Sequence, residues 1–123
     1  MIGYVTIGVN DFEKGKAFYS KVLAALDPKP GLDNDHMYGF RTKAGAMLAV
    51  CKPHNGQKAT GGNGTMVALS APSKEAVDQV YKDALANGAT DEGAPGDRGG
   101  GFYGAYFRDP DGNKLCAFTM LRG

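Results

Sequence analysis

The chain opens on an alternation. Over residues 4–9, Val5, Ile7 and Val9 alternate with Tyr4, Thr6 and Gly8, the period of a strand with one buried face. Asn10 or Asp11 then caps a helix, with Glu13 three residues beyond Asn10, and Ala17, Phe18, Val22 and Leu26 follow at helical spacing. A shift of 62 residues brings the same order back. Residues 66–71 alternate with the same parity, Val67 standing where Val5 does and Leu69 where Ile7 does. Pro72 and Ser73 begin a second helix with Ala76, Val77, Val80, Ala84 and Leu85 along one face, and Asn87-Gly88 stops it.

The ends of the two halves match as well, at a shift of 67: Arg41 falls on Arg108, Gly45 on Gly112 and Leu48 on Leu115. Both 41–45 and 108–112 read as tight turns. Asp109-Pro110-Asp111-Gly112 is the stronger signal, because Pro presets φ and Gly accepts positive φ. Strands are predicted before the turns at 37–41 and 102–108, and after them at 46–52 and 114–120. A further short strand fits within 25–35 and another within 89–92. Residues 54–64 form a linker rich in Gly, Asn and Lys.

Such self-similarity predicts a paired architecture. Each half is a βαβββ module of an α+β fold: a curved mixed sheet with helices on its outer face. The chain is expected to be one domain over 1–123, with halves at about 1–57 and 62–123. One helix per half covers one sheet face. The other face, if curved, makes a trough that the two halves close into a pocket.

Composition narrows the partners. The 123 residues suffice for one compact core, and 14 basic against 13 acidic side chains leave a formal charge of +1. No basic stripe points to nucleic acid, and no apolar run is long enough to cross a membrane. The start lacks the basic and apolar regions of a signal peptide, so a cytoplasmic location is expected. Cys51 and Cys116 make no disulfide framework and fit no zinc spacing; they read as reduced, partly buried side chains.

The run Phe107-Arg108-Asp109-Pro110-Asp111-Gly112-Asn113-Lys114-Leu115 resembles the near-C-terminal hairpin of the vicinal oxygen chelate superfamily. Val5-Thr6-Ile7-Gly8-Val9-Asn10-Asp11 with Ala17-Phe18-Tyr19 is similar to that family's opening strand and helix. The superfamily includes glyoxalase I, extradiol dioxygenases, and fosfomycin- and bleomycin-resistance proteins. Cys51-Lys52-Pro53 and Gly101-Phe102-Tyr103-Gly104 look like small bacterial glyoxalase-like proteins. In metal-dependent members, the resemblance implies four His, Glu or Gln ligands projecting into the trough. Here those positions read Tyr4, Ala49, Met66 and Cys116. Ala carries no donor, Met is a soft one, and a tyrosine oxygen with its ordinary pKa near 10 is a poor one. No metal and no cofactor are therefore expected.

With those four positions inward, parity adds Thr6 and Gly8, Ala68 and Ser70, Cys51 and Phe118, and Tyr106 across the last hairpin. The expected ligand-binding set is Tyr4, Thr6, Ala49, Cys51, Met66, Ala68, Tyr103, Tyr106, Cys116 and Phe118. Tyr103 joins it as a lid contact, with Arg98 and Phe102, because residues 93–101 read as a glycine-rich mobile flap. Tyr4 and Tyr106 either pair around a ligand oxygen or simply reach solvent. His36 and His54 read as solvated loop residues, and Arg41 and Arg108 as surface charges flanking turns. The resulting pocket is mostly apolar and suits a small organic molecule. Three functions compete: a metal-free binder, expected first; a lactoylglutathione lyase-like or dioxygenase-like enzyme using non-standard ligands; and a structural or regulatory dimer. No catalytic residue is assigned. The family habit of pairing modules across a two-fold axis implies a homodimer.

Overall fold

The computed structural model describes residues 1–43 and 45–121. The alternating segments form strands and the 3.6-period segments form helices, in the order β1 (Tyr4–Gly8), α1 (Phe12–Val22), β2 (Lys29–Asp33), β3 (Met37–Arg41), β4 (Met47–Cys51), β5 (Val67–Ser70), α2 (Lys74–Ala86), β6 (Thr90–Asp97), β7 (Phe102–Arg108) and β8 (Lys114–Met120). A single 3-10 turn, Ala24–Leu26, follows α1. The strands make two four-stranded sheets, ordered β1-β4-β3-β2 and β5-β8-β7-β6. In each sheet the first and last strands of the module are parallel and the remaining pairs antiparallel. Two βαβββ modules of one α+β fold result. No helix among the described residues is long and apolar enough to cross a membrane.

Local chemistry explains the boundaries. Asp11 caps α1 by accepting from the Lys14 N–H at 3.1 Å. Asn10, the other cap candidate, is turned elsewhere. Ser73 caps α2 by accepting from the Ala76 N–H. The buried stripe of α1 is Phe18, Tyr19 and Val22, and that of α2 is Val77, Val80 and Ala84. Ala17 and Leu85, expected on those stripes, lie exposed at their edges. Both stripes meet Ile7, Leu48, Val50, Leu69, Phe107, Leu115 and Ala117 in one continuous core.

The two helices touch each other, and α2 also packs on β6, β7 and β8 while α1 packs on β4. Both helices therefore lie on the same side of the sheets, and the open faces look the other way. A polar latch ties the halves together. Buried Asp109 accepts from the Tyr19 hydroxyl of α1 at 2.5 Å, from the Asp111 and Asn113 N–H groups, and from Asn113 Nδ2. Asn113 Nδ2 also donates to the Gly8 carbonyl at 2.9 Å. Asn10 donates through its N–H and Nδ2 to Asp111 and accepts from the Ala59 N–H at 2.8 Å. The linker passes so close over the hairpin that a Cβ at Gly61 would collide with the Gly112 carbonyl.

Candidate binding site

Strand register decides which side chains share the open faces. In the first sheet Thr6 lies opposite Ala49 and Gly8 opposite Cys51; Ala49 then lies opposite Gly39, and Cys51 opposite Met37. In the second, Ala68 lies opposite Cys116 and Ser70 opposite Phe118; Tyr106 and Gly104 complete those rows. Period 2 thus places Tyr4, Thr6, Ala49 and Cys51 on one open face, and Ala68, Cys116, Phe118 and Tyr106 on the other. Their exposure is uneven. Tyr4 is 60% and Met66 43% exposed, whereas Ala49 and Cys116 are wholly covered.

Tyr103 departs from its expected place. It pairs with Thr119 and turns to the helix layer, where its hydroxyl donates to Asp78 of α2 at 2.6 Å. The reason is parity: Phe102 and Gly104 occupy the open-face positions of β7, so the residue between them cannot. The hydrogen bond to Asp78, with burial adding to it, pushes the Tyr103 phenol up to about 12.

The expected flap is also largely absent as a flap. Residues 93–97 belong to β6 and pair along β7 with bulges, leaving only a short turn at 98–101. The segment's glycines permit the irregular strand rather than a disordered cover.

The first sheet's open face carries a hollow of about 790 Å³, roofed by the linker. Thr6, Gly8, Met37 and Cys51 form its floor, and His36, His54, Asn55, Lys58 and Thr60 its rim. Both histidines are solvent-exposed, as expected, yet both stand at this rim. Their loops are held over the sheet by the Lys52 N–H donating to the His36 carbonyl and by a turn in which the Gly56 N–H donates to the Pro53 carbonyl. Strand parity carries no information about loop residues, so it does not place these two at the site. The Asn34-Asp35-His36 turn and the Pro53 after β4 were the available signals. A second hollow of about 230 Å³ lies where β1, β5, the linker and the last hairpin meet, lined by Thr6, Gly8, Thr65, Val67, Asn113 and Lys114.

The second sheet's open face is aromatic and cationic. The Phe102 and Phe118 rings stack with centroids 5.1 Å apart. Beside them lies the Tyr106 ring, with the Arg98 guanidinium 5.3 Å and the Lys114 ammonium 5.7 Å from its centroid. The Tyr106 hydroxyl adjoins the Cys116 thiol. Burial, chiefly, pushes both groups above their ordinary pKa values, so each keeps its proton near neutrality.

The four ligand positions implied by the resemblance carry none of the His, Glu or Gln side chains of the metal-dependent members. Ala49 offers no donor, Met66 only a soft thioether, Tyr4 a phenol and Cys116 a thiol. Among the described residues no group of three or more His, Cys, Asp or Glu side chains could hold a metal ion.

A family model described as the glyoxalase/bleomycin resistance protein/dioxygenase superfamily matches residues 1–117. Among solved structures, a glyoxalase/bleomycin resistance protein from Albidiferax ferrireducens T118 is 42% identical with a TM-score of 0.88, covering 97% of this chain and 98% of that one. A glyoxalase/bleomycin resistance protein/dioxygenase family enzyme from Burkholderia phytofirmans PsJN shares the fold at 23% identity and a TM-score of 0.78, covering 97% and 98% of the two chains. A lactoylglutathione lyase from Agrobacterium tumefaciens shares it at 20% identity and a TM-score of 0.70, covering 97% and 92%. Comparison with curated proteins finds no match.

Proposed function

Because the chain belongs to the glyoxalase/bleomycin resistance protein/dioxygenase superfamily, we propose that it binds a small organic molecule in the trough without a metal ion. The observation carrying this reading is the hollow of about 790 Å³ on the first sheet. Its size lies within the range of small-molecule sites, roughly 300–1,000 Å³. A floor of Gly8, Met37 and Cys51 with a rim of two imidazoles, an amide, an ammonium and a hydroxyl supplies apolar contact and a few orienting polar groups. The four ligand positions, read as Tyr4, Ala49, Met66 and Cys116, give no donor set through which a Lewis-acid step can be derived. Tyr4, Thr6, Ala68 and Tyr106 remain ligand contacts in this reading, and the chain works as a homodimer.

Two measurements on the purified chain test it. Elemental analysis should find no stoichiometric nickel, zinc, iron or manganese. A screen of neutral and charged small molecules should produce thermal shifts without added metal, since a ligand selective for the folded state stabilises by mass action. Chelator-sensitive hemithioacetal isomerisation with nickel or zinc would overturn the reading in favour of a metal-dependent lyase. No shift across the whole screen would favour a structural role.

A further inference from the structure

The second sheet's open face adds a chemical preference. We infer that this face binds an organic anion, a carboxylate on an apolar body, held by Arg98, Lys114 and the Tyr106 hydroxyl. None of the three lines the hollow of about 790 Å³, so this is a second site, on the other sheet; it rests on the small-molecule reading in taking the ligand to be a small organic compound.

Three observations converge on it. The first is charge without compensation. Lys114 on β8 and Arg98 at the end of β6 both approach the Tyr106 ring, which lies on β7 between those strands. Among the described residues neither cation forms an ion pair. Glu92, the carboxylate on this side, is engaged by the Arg108 guanidinium at 3.1 Å. Asp97 pairs with Tyr103 and so shares that residue's face, toward the helix layer. A ring quadrupole holds two cations only weakly when nothing negative lies between them. An anion entering there gains from both.

The second observation is steric. Arg98 reaches Tyr106 by lying across Gly93: a Cβ at Gly93 would come within 3.2 Å of Arg98 Nη2 and 3.1 Å of the Tyr106 ring. The guanidinium is anchored on the Ala94 carbonyl. Its aim is therefore set by the backbone. Such preorganisation reduces the entropy lost when a ligand is bound.

The third is the apolar neighbour. Phe102 folds over Gly104, where a Cβ would meet its ring at 2.8 Å, and stacks on Phe118 one row away from Tyr106. The cationic pair is thus bordered by a flat apolar slab. Free phosphate would leave that slab unused, whereas the body of an organic acid covers it.

The test compares benzoate with benzyl alcohol, which has a similar body and no charge. Each is titrated into the wild-type chain, Arg98→Gln and Lys114→Gln, followed by calorimetry or by shifts of backbone amide resonances. Benzoate should bind wild type at least tenfold more tightly than benzyl alcohol, and its affinity should fall as salt rises. Each variant should weaken benzoate at least fivefold and leave benzyl alcohol within twofold, with the melting temperature unchanged. Equal affinity for the two probes would overturn the inference while leaving the small-molecule reading standing. Absence of benzoate binding, or variants that bind it as wild type does, would also overturn it. Failure of every neutral and charged compound in the broader screen would instead remove the reading on which it rests.

Discussion

Replacing Tyr19 by Phe removes one oxygen from the joint between the modules. The Tyr19 ring is fully buried, and its hydroxyl donates to Asp109 Oδ2 at 2.5 Å. Asp109 is itself only 3% exposed, so water cannot readily replace the lost donor. Its Oδ1 keeps the Asp111 and Asn113 N–H groups, but Oδ2 is left with Asn113 Nδ2, which also serves the Gly8 carbonyl. A hydrogen bond to a charged group contributes about 1.5–3 kcal/mol, and the poor access of water favours the upper half. Tyr19→Phe should therefore cost about 2–3 kcal/mol in urea unfolding with an unchanged m-value. For a domain of this size, that corresponds to a melting temperature lower by roughly 6–12 °C. In an Asp109→Asn background the same change should cost much less, because the charge has already gone. A cost below about 0.5 kcal/mol, or the same cost in both backgrounds, would refute the assignment of the latch. Burial first, then the Asp109 charge, raise the Tyr19 phenol far above its ordinary value. The folded state keeps a proton there that the unfolded chain releases above pH 10, so stability should fall as pH rises past 10. Tyr19→Phe should flatten that decline.

Tyr103 makes a smaller contribution of the same sign. Its phenol is pushed up to about 12, by the Asp78 hydrogen bond first, so the stability it supplies is present below pH 10 and lost between 10 and 12. Tyr103→Phe should narrow the difference in urea midpoint measured at pH 9 and pH 11. A native-state thiol titration should modify Cys51, which is partly exposed, well before Cys116, which is fully buried with its thiol pushed up. Peptide mapping that finds Cys116 labelled first would contradict this.

Much of the fold was legible because its signals are local and repeated. The alternation around Val5 and Val67 marks two half-buried strands, and the Asp-Pro-Asp-Gly turn pins the register of β7 against β8. Register in turn places Cys116 beside Tyr106, since side chains alternate faces along both strands. Sequence and structure part at glycine. The 93–101 stretch looks like a flap in sequence, but its glycines serve a bulged strand, and Gly93 clears the way for Arg98. Asn10 passed for a helix cap because its chemistry suits one; its partners, Asp111 and Ala59, lie 101 and 49 residues away. Tyr103 adjoins the lid segment in sequence, but the parity of β7 turns it toward the helices.

The sequence by itself determined the two βαβββ units with their strands and turns. Each of these depends on side-chain identity and on spacing over a few residues. Tertiary structure alone decided that His36 and His54 rim a hollow, that Arg98 and Lys114 meet over one ring, and that Tyr19 and Asp109 join the modules. Such encounters depend on how two sheets and two helices pack, and packing couples residues whose separation along the chain carries no periodic signal.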